Sequence, residues 1–270
     1  DRDFEQALGL GNVDHPDNPD GPTWPTPKNR ANGPRRQLTE LGNAMRLVDR
    51  YGDDLMSVPE MDHWFIWSGH HWRQSSLSSL YGLAKSTIRA MPEEAQRIES
   101  ESDQQAFRKF YKLSQQARMI RNMVFLTASE AGIQIAVENL DHKKHLLGVA
   151  NGAADLQTGE LIAPNRQDRV TITTQVPYNP EASAPLFEQT LLDVFNDDQD
   201  MVAFFQRLIG YSLTGLPNED VIAILFGSGA NGKSTVLGAI RHVLGQHARM
   251  AQSETFLNDN KNGAAAGGPR

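Results

Sequence analysis

A glycine-rich run near the carboxyl end is the part of the sequence best suited to chemistry. Residues 227–235 read GSGANGKST and match the pattern G-x-x-x-x-G-K-[ST], with Gly227, Gly232, Lys233 and Ser234 at the defined positions. Because glycine makes up roughly 7% of residues, such a match should arise by chance in on the order of one in a hundred chains of this length. The run, called here the phosphate-loop motif, therefore predicts a site for nucleotide phosphates.

Each residue type in the motif has a physical task. The glycines allow backbone torsions that point successive N–H groups at one anion, and the amino end of the following helix adds its positive dipole. Lys233, the candidate catalytic residue, is expected to reach the β- and γ-phosphate oxygens, and the Ser234 hydroxyl is expected to ligate Mg²⁺. The candidate cofactor-binding residues are Gly227, Ser228, Gly229, Ala230, Asn231, Gly232, Lys233, Ser234 and Thr235.

The segments on either side of the motif indicate how it is held. VIAILF at residues 221–226 is a continuous apolar run, typical of a strand buried on both faces. STVLGAIRHVLG then has the pattern of a helix. We expect the strand to be flanked by helices, with Phe204, Leu208 and Leu213 packed towards it.

Composition excludes several other classes of protein. The 270 residues include no cysteine, which rules out disulfide scaffolds, thiolate nucleophiles and cysteine-ligated metals. No apolar run is long enough to span a membrane and no signal peptide is evident, so the sequence predicts a cytoplasmic protein. With 26 basic and 33 acidic residues the net charge is −7, so any contact with DNA must be local.

Both ends of the chain have the composition of connecting segments. Residues 1–36 hold six of the 14 prolines and predict a disordered or linker tail. The chain opens on Asp1 rather than methionine and closes on NGAAAGGPR. We therefore expect a segment of a longer polypeptide.

Between the tail and the motif the pattern is mainly helical, with short hairpins. Thr39 predicts the start of a helix that ends at Gly52, and HWFIWSGHHW predicts a hairpin around SGHH. Two extended halves flank the predicted turn Gln157-Thr158-Gly159. Further helices are predicted over residues 75–89, 102–131, 185–195 and 200–213.

Three other groups of residues could touch nucleic acid, and each has a simpler interpretation. His70 and His71 with Trp64, Trp67 and Trp72 could stack on bases, but cross-strand packing in the hairpin is favoured. The basic run His142–His145 is more often a solvated turn. Arg118 and Arg121 could face a neighbouring subunit, although a surface helix position is the simpler interpretation.

The motif with Asn231 before Gly232 resembles the superfamily 3 helicases of phages, plasmids and large DNA viruses. Upstream, the segment from TELGNAMRLVDRYG to HWFIWSGHHW resembles the opening of the amino-terminal module of phage, plasmid and poxvirus-type primase-helicases. LGVANGAADLQTGEL resembles a later segment of that module, and FFQRLIGYSLTG at residues 204–215 resembles the helical lead-in to the ATPase. The resemblance covers most of residues 38–260.

This resemblance implies a mixed α/β architecture. A mostly helical pre-helicase module with short hairpins would occupy residues 37–200, and the first strand–P-loop–helix unit of an AAA+-like ATPase would occupy residues 201–270. In such proteins ATP and Mg²⁺ are the cofactors, the ATPase forms a ring that is usually hexameric, and the ring moves on single-stranded DNA. A primase is often attached upstream or acts as a separate partner.

Two other functions remain compatible with the motif. One is a non-motor P-loop module that binds nucleotide to fix an assembly, and the other is part of a small-molecule kinase. A motor also needs an acidic residue at the end of a second strand. After Ser234 the sequence offers Glu254 and Asp259, neither of which ends an apolar run. We therefore expect this segment alone to bind Mg-ATP without hydrolysing it.

Overall fold

The computed structural model describes residues 25–28, 35–174, 176–216, 219, 221–227, 229 and 231–251. The helices are α1 (Glu40–Tyr51), α2 (Leu77–Ala90), α3 (Pro92–Ala95), α4 (Glu101–Ser114), α5 (Ala117–Thr127), α6 (Pro185–Val194), α7 (Gln199–Leu213) and α8 (Lys233–Leu244). The strands are β1 (Leu55–Val58), β2 (His63–Trp67), β3 (Trp72–Ser75), β4 (Leu146–Val149), β5 (Gly152–Asp155) and β6 (Leu161–Ile162). No helix in these described ranges is both long and apolar enough to cross a membrane.

Helix α1 is the centre of the larger helical core. The Thr39 hydroxyl accepts a hydrogen bond from Gly42 N at 3.0 Å and so caps the helix, as the sequence predicts. Helices α2 and α5 pack against α1. The buried core between these elements contains Leu47, Tyr51, Leu55, Trp64, Ile66, Leu80, Leu83, Ile88, Met91, Ile98, Phe107, Phe110, Met119, Met123, Val124 and Ile133.

The single helix predicted over residues 102–131 is wrong, because the segment forms two helices that separate at Gln116. Gln116 has an extended backbone with ψ 143°, which ends the helical path. Ser114 is fully buried and accepts a hydrogen bond from Asn43 Nδ2 at 2.9 Å, which ties the end of α4 to α1. The break lets Phe110 of α4 and Met123 of α5 reach the same core.

The aromatic hairpin is present where the sequence predicts it. Strands β1, β2 and β3 form one antiparallel sheet, and Trp67 pairs with Trp72 across the turn. The two indole rings meet edge to face with centroids 5.5 Å apart. Trp64, Trp67 and Trp72 are all buried, so they build the packed faces of the sheet and present no open platform for bases.

The second sheet contains one more hairpin than the sequence predicts. Strands β5 and β6 flank the predicted turn, where Gly159 has φ 74°, but β4 also pairs with β5 around Ala150 and Asn151. Residues 171–174 and 176–179 form no strand, although Thr174 N donates to Gly148 O at 2.9 Å. Trp72 joins this region to the first sheet, since its N donates to Val170 O at 2.8 Å.

Gly52 directly follows Tyr51, the last residue of α1, so the helix ends where the sequence predicts. The φ and ψ of Gly52 are −55° and −34°, so the chain continues into a short 3₁₀ turn over Gly52–Asp54. The Asp54 carboxylate at the end of this turn accepts a hydrogen bond from Arg166 Nε at 2.7 Å. The turn thus joins α1 to the loop that follows β6.

The predicted buried strand at residues 221–226 is wrong. These residues are exposed and unpaired within the described part of the chain, with Ile222 82% and Phe226 90% exposed. An apolar run becomes a strand only where neighbouring strands satisfy its N–H and C=O groups, and none of the described strands lies beside it. Phe204 is also exposed, whereas Phe205 is buried against Leu191 and Val236 of α6 and α8.

Candidate functional site

The phosphate-loop motif lies at the start of α8. Gly232 has φ 78° and ψ −5°, a left-handed conformation that glycine adopts without strain, and the helix begins directly afterwards at Lys233. A Cβ added at Gly232 would overlap Val194 Cγ2 of α6. Glycine at position 232 therefore permits both the turn of the backbone and the close contact between the loop and α6.

Helix α8 is fixed by its apolar face. Val236 is 3% exposed and packs with Leu191 of α6 and Phe205 of α7. Val236 N donates to Gly232 O at 3.0 Å, which closes the first turn. The remaining N–H groups at this helix end have no partner within the helix, an arrangement that attracts anions.

The side chains of Asn231 and Lys233 fold back over the beginning of the loop. Lys233 Nζ donates to Asn231 Oδ1 at 2.5 Å. A Cβ built on Gly227 would overlap Asn231 Nδ2 and would lie 3.1 Å from Lys233 Nζ. The lysine ammonium is thus held above Gly227, and a side chain at this position would require the Asn231 amide to move.

Lys233 is half-buried and makes no ion pair with a carboxylate among the residues described. A half-buried ammonium that is bonded only to an amide oxygen retains donors for phosphate oxygens. Gly229 has φ 96°, and a Cβ there would meet nothing within 4 Å. The loop is therefore open on the side of Gly229.

Ser234 and Thr235 lie in the first turn of α8 and are exposed. A hydroxyl here is free to ligate Mg²⁺ held by bound phosphates, so the residues fit the cofactor that the sequence predicts. Ser228 and Ala230, the two other predicted contacts, lie outside the described residues, as do Glu254 and Asp259.

The other candidate residues of the sequence make contacts within the fold or line a cavity away from the motif. Lys143 in the basic run pairs with Asp168 at 2.7 Å, so this run is in part neutralised. Burial lowers the pKa of His71, whose backbone oxygen accepts from the Ser68 hydroxyl in the hairpin turn. Arg118 lies 3.7 Å from the Glu40 carboxylate. Arg118 and Arg121 both line a separate cavity.

Sequence reasoning missed a contact between the end of α8 and the second sheet. The 3₁₀ turn Gly245–His247 continues α8, and Gln246 Oε1 accepts from Thr173 N at 3.4 Å. His247 Nε2 lies 3.4 Å from Gly148 O, and burial lowers the pKa of this histidine. The helix that begins at the phosphate-loop motif therefore ends against β4, a link between distant segments that no local pattern indicates.

Two comparisons with known proteins place the chain among its relatives. The family described as "D5 N terminal like" matches residues 44–196, more than half of the chain. A protein of Acanthamoeba polyphaga mimivirus named "Putative helicase" is 24% identical over 200 residues, which cover 67% of this chain and 21% of that protein. The chain thus spans about a fifth of the length of this viral relative.

Proposed function

The chain belongs to the D5 N-terminal-like family of phage and viral primase-helicases, and from that premise we propose that it is part of an ATP-dependent replicative DNA helicase that binds Mg-ATP through residues 227–235. The family match covers residues 44–196, so it precedes the phosphate-loop motif and does not include it. The nucleotide site must therefore be argued from the motif and its geometry. The mimivirus relative named as a helicase supports the wider assignment.

The observation that carries the proposal is the position of the Lys233 ammonium. It lies over Gly227, bonded to Asn231, at the amino end of α8. Such a position puts one cation, a helix dipole and glycine N–H groups around the same small volume. Nucleotide phosphates match that combination of charge and donors.

Different residues of the motif would contact different parts of the Mg-nucleotide. Lys233 would contact the β- and γ-phosphates, the backbone of the glycines would hold the phosphate oxygens, and Ser234 would ligate Mg²⁺. In the whole protein, ATP hydrolysis in a ring of subunits would drive strand separation on single-stranded DNA. A primase, attached or separate, would be the further partner.

The proposal is tested by the melting temperature of the chain in rising concentrations of Mg-ATP. At about ten times the dissociation constant, binding to the folded state alone adds roughly 1.4 kcal/mol of stability. For a chain of this size that is about 3 to 6 °C, if unfolding is two-state. We expect Lys233→Ala to abolish the shift and Ser234→Ala to reduce it only when Mg²⁺ is present.

Lys109→Ala is the matched control, because Lys109 is an exposed lysine on α4 outside the motif. It should leave the shift unchanged. An equal shift in the Lys233→Ala protein would contradict the proposal. So would the absence of any shift in the unaltered chain at millimolar nucleotide.

A further inference from the structure

The cavity lined by Arg118 and Arg121 is remote in sequence from the phosphate-loop motif and has the chemistry of a nucleic-acid site. It has a volume of about 700 Å³ and lies between α5 on one side and the β1–β2 turn with the start of α2 on the other. Its lining includes Arg118, Arg121, Asn122 and Phe125 of α5, with His63 and Tyr81 opposite. This volume is in the range of ligand-binding pockets.

The α5 residues form one continuous stripe along the helix. Positions 118, 121, 122 and 125 are separated by three, four and seven residues, so their side chains lie on the same face. Phe125 is 77% exposed, while its neighbour Val124 is 3% exposed and faces the core. The helix therefore buries one face in the fold and presents an aromatic ring, an amide and two guanidinium groups on the other.

The charges of this stripe favour an anionic partner. Arg121 is exposed and makes no ion pair within the described part of the chain. Arg118 makes only a long contact of 3.7 Å with Glu40, and its side chain is 66% exposed. The lining contains one acidic residue, Asp62, and the two arginines, so its basic residues outnumber its acidic ones.

His63 lies in the lining of this cavity. Its Nδ1 is buried and has no hydrogen-bond partner among the described residues.

We propose that this cavity, called here the α5 cleft, binds a single-stranded nucleic acid, with a base stacked on Phe125 and the backbone phosphates held by Arg118 and Arg121. Aromatic rings stack on any base, and arginines track the phosphate backbone. The choice of a DNA strand as the physiological polymer rests on the proposed function. The site is distinct from the nucleotide site, because none of its residues belongs to the phosphate-loop motif.

The experiment measures the fluorescence anisotropy of a labelled oligothymidine of about 20 nucleotides as the chain is added. Because the net charge of the chain is −7, we expect weak binding that falls as salt rises. Phe125→Ala should weaken binding by about tenfold, as expected for one stacked base. Arg121→Ala should weaken binding several-fold and reduce the slope of log affinity against log salt concentration by about one, the value for one phosphate contact. Arg121→Lys should keep most of that slope, because lysine is also a cation.

Two matched controls accompany these variants. Phe204→Ala removes another exposed phenylalanine, on α7, and Arg108→Ala removes another exposed arginine, on α4. Both should bind the oligonucleotide as the unaltered chain does. Lys233→Ala should also leave oligonucleotide binding unchanged, so failure of the nucleotide site and failure of the α5 cleft are separate results.

Three results would overturn the proposal. The first is unchanged binding in Phe125→Ala and Arg121→Ala. The second is binding to a duplex of the same length as tight as binding to the single strand, since a paired base cannot stack on Phe125. The third is a sedimentation coefficient that falls in Phe125→Ala while DNA binding is unaffected, which would assign the cleft to a second copy of the chain.

Discussion

Replacing Arg46 with methionine is expected to lower the free energy of unfolding by about 2–3 kcal/mol. Arg46 lies on α1 and is only 3% exposed. Its Nε and Nη2 donate to the Glu94 carboxylate at 2.8 and 2.9 Å. Nη1 donates to Gln37 O and Nη2 to Arg36 O, each at 3.0 Å. One side chain thus joins α1 to α3 and to the segment that precedes α1.

The expected loss of unfolding free energy depends on the groups that Arg46→Met leaves without a hydrogen-bond partner. Methionine keeps the apolar stem of the side chain in contact with the core, so the loss is mainly that of the hydrogen bonds. Removing one partner of a fully buried ion pair costs about 3–5 kcal/mol. The Glu94 side chain is 34% exposed and can regain water, which reduces the expected loss.

Urea unfolding of the unaltered chain, Arg46→Met and Arg108→Met tests this reasoning. Arg108 is exposed on α4, so its replacement should change stability by less than about 0.5 kcal/mol. A loss below about 1 kcal/mol in Arg46→Met would refute the argument that this side chain holds the three segments together.

Three further outcomes are expected. Trp72→Phe should lose about 1–2 kcal/mol of stability in urea, because Trp72 Nε1 donates to Arg166 O at 2.9 Å and phenylalanine leaves that oxygen unpaired; equal stability would contradict this. Burial lowers the pKa of His247 below its ordinary value of 6.5, so the unfolded chain takes up the proton first and stability falls as the pH drops below about 6.5. His247→Gln should make that fall shallower in urea titrations at about pH 7.5 and pH 5.5, and an identical slope would refute the contribution of this residue. The chain should release no phosphate from ATP in steady state; turnover that depends on Lys233 would show a catalytic acid, with Glu254→Gln the first variant to test.

The sequence predicts elements well where local signals agree with packing. The Thr39 cap and the aromatic hairpin are both confirmed, since a capping hydroxyl and alternating aromatic residues act over a few positions. The loop glycines at 229 and 232 adopt positive φ, as expected of an anion-binding turn. The binding roles of residues 227–235 stay predictions.

The wrong predictions concern segments whose structure is set by contacts between residues far apart in the sequence. The break at Gln116 depends on Ser114 reaching Asn43, 71 residues earlier, which helical periodicity does not reveal. The run at 221–226 has the composition of a buried strand, but strand formation depends on partner strands that composition does not specify. The junction of His247 with Gly148 is likewise set by the tertiary fold.

We expect one Mg-nucleotide to bind at the start of α8 through the Lys233 ammonium. Isothermal titration calorimetry of Mg-ADP against the unaltered chain and Lys233→Ala tests it most directly, because it gives both stoichiometry and affinity. We expect one site per chain. Its affinity should fall by at least about tenfold in Lys233→Ala and stay unchanged in Lys109→Ala, since one cation–phosphate contact is worth about 1.5–3 kcal/mol. The same affinity in Lys233→Ala as in the unaltered chain would contradict it.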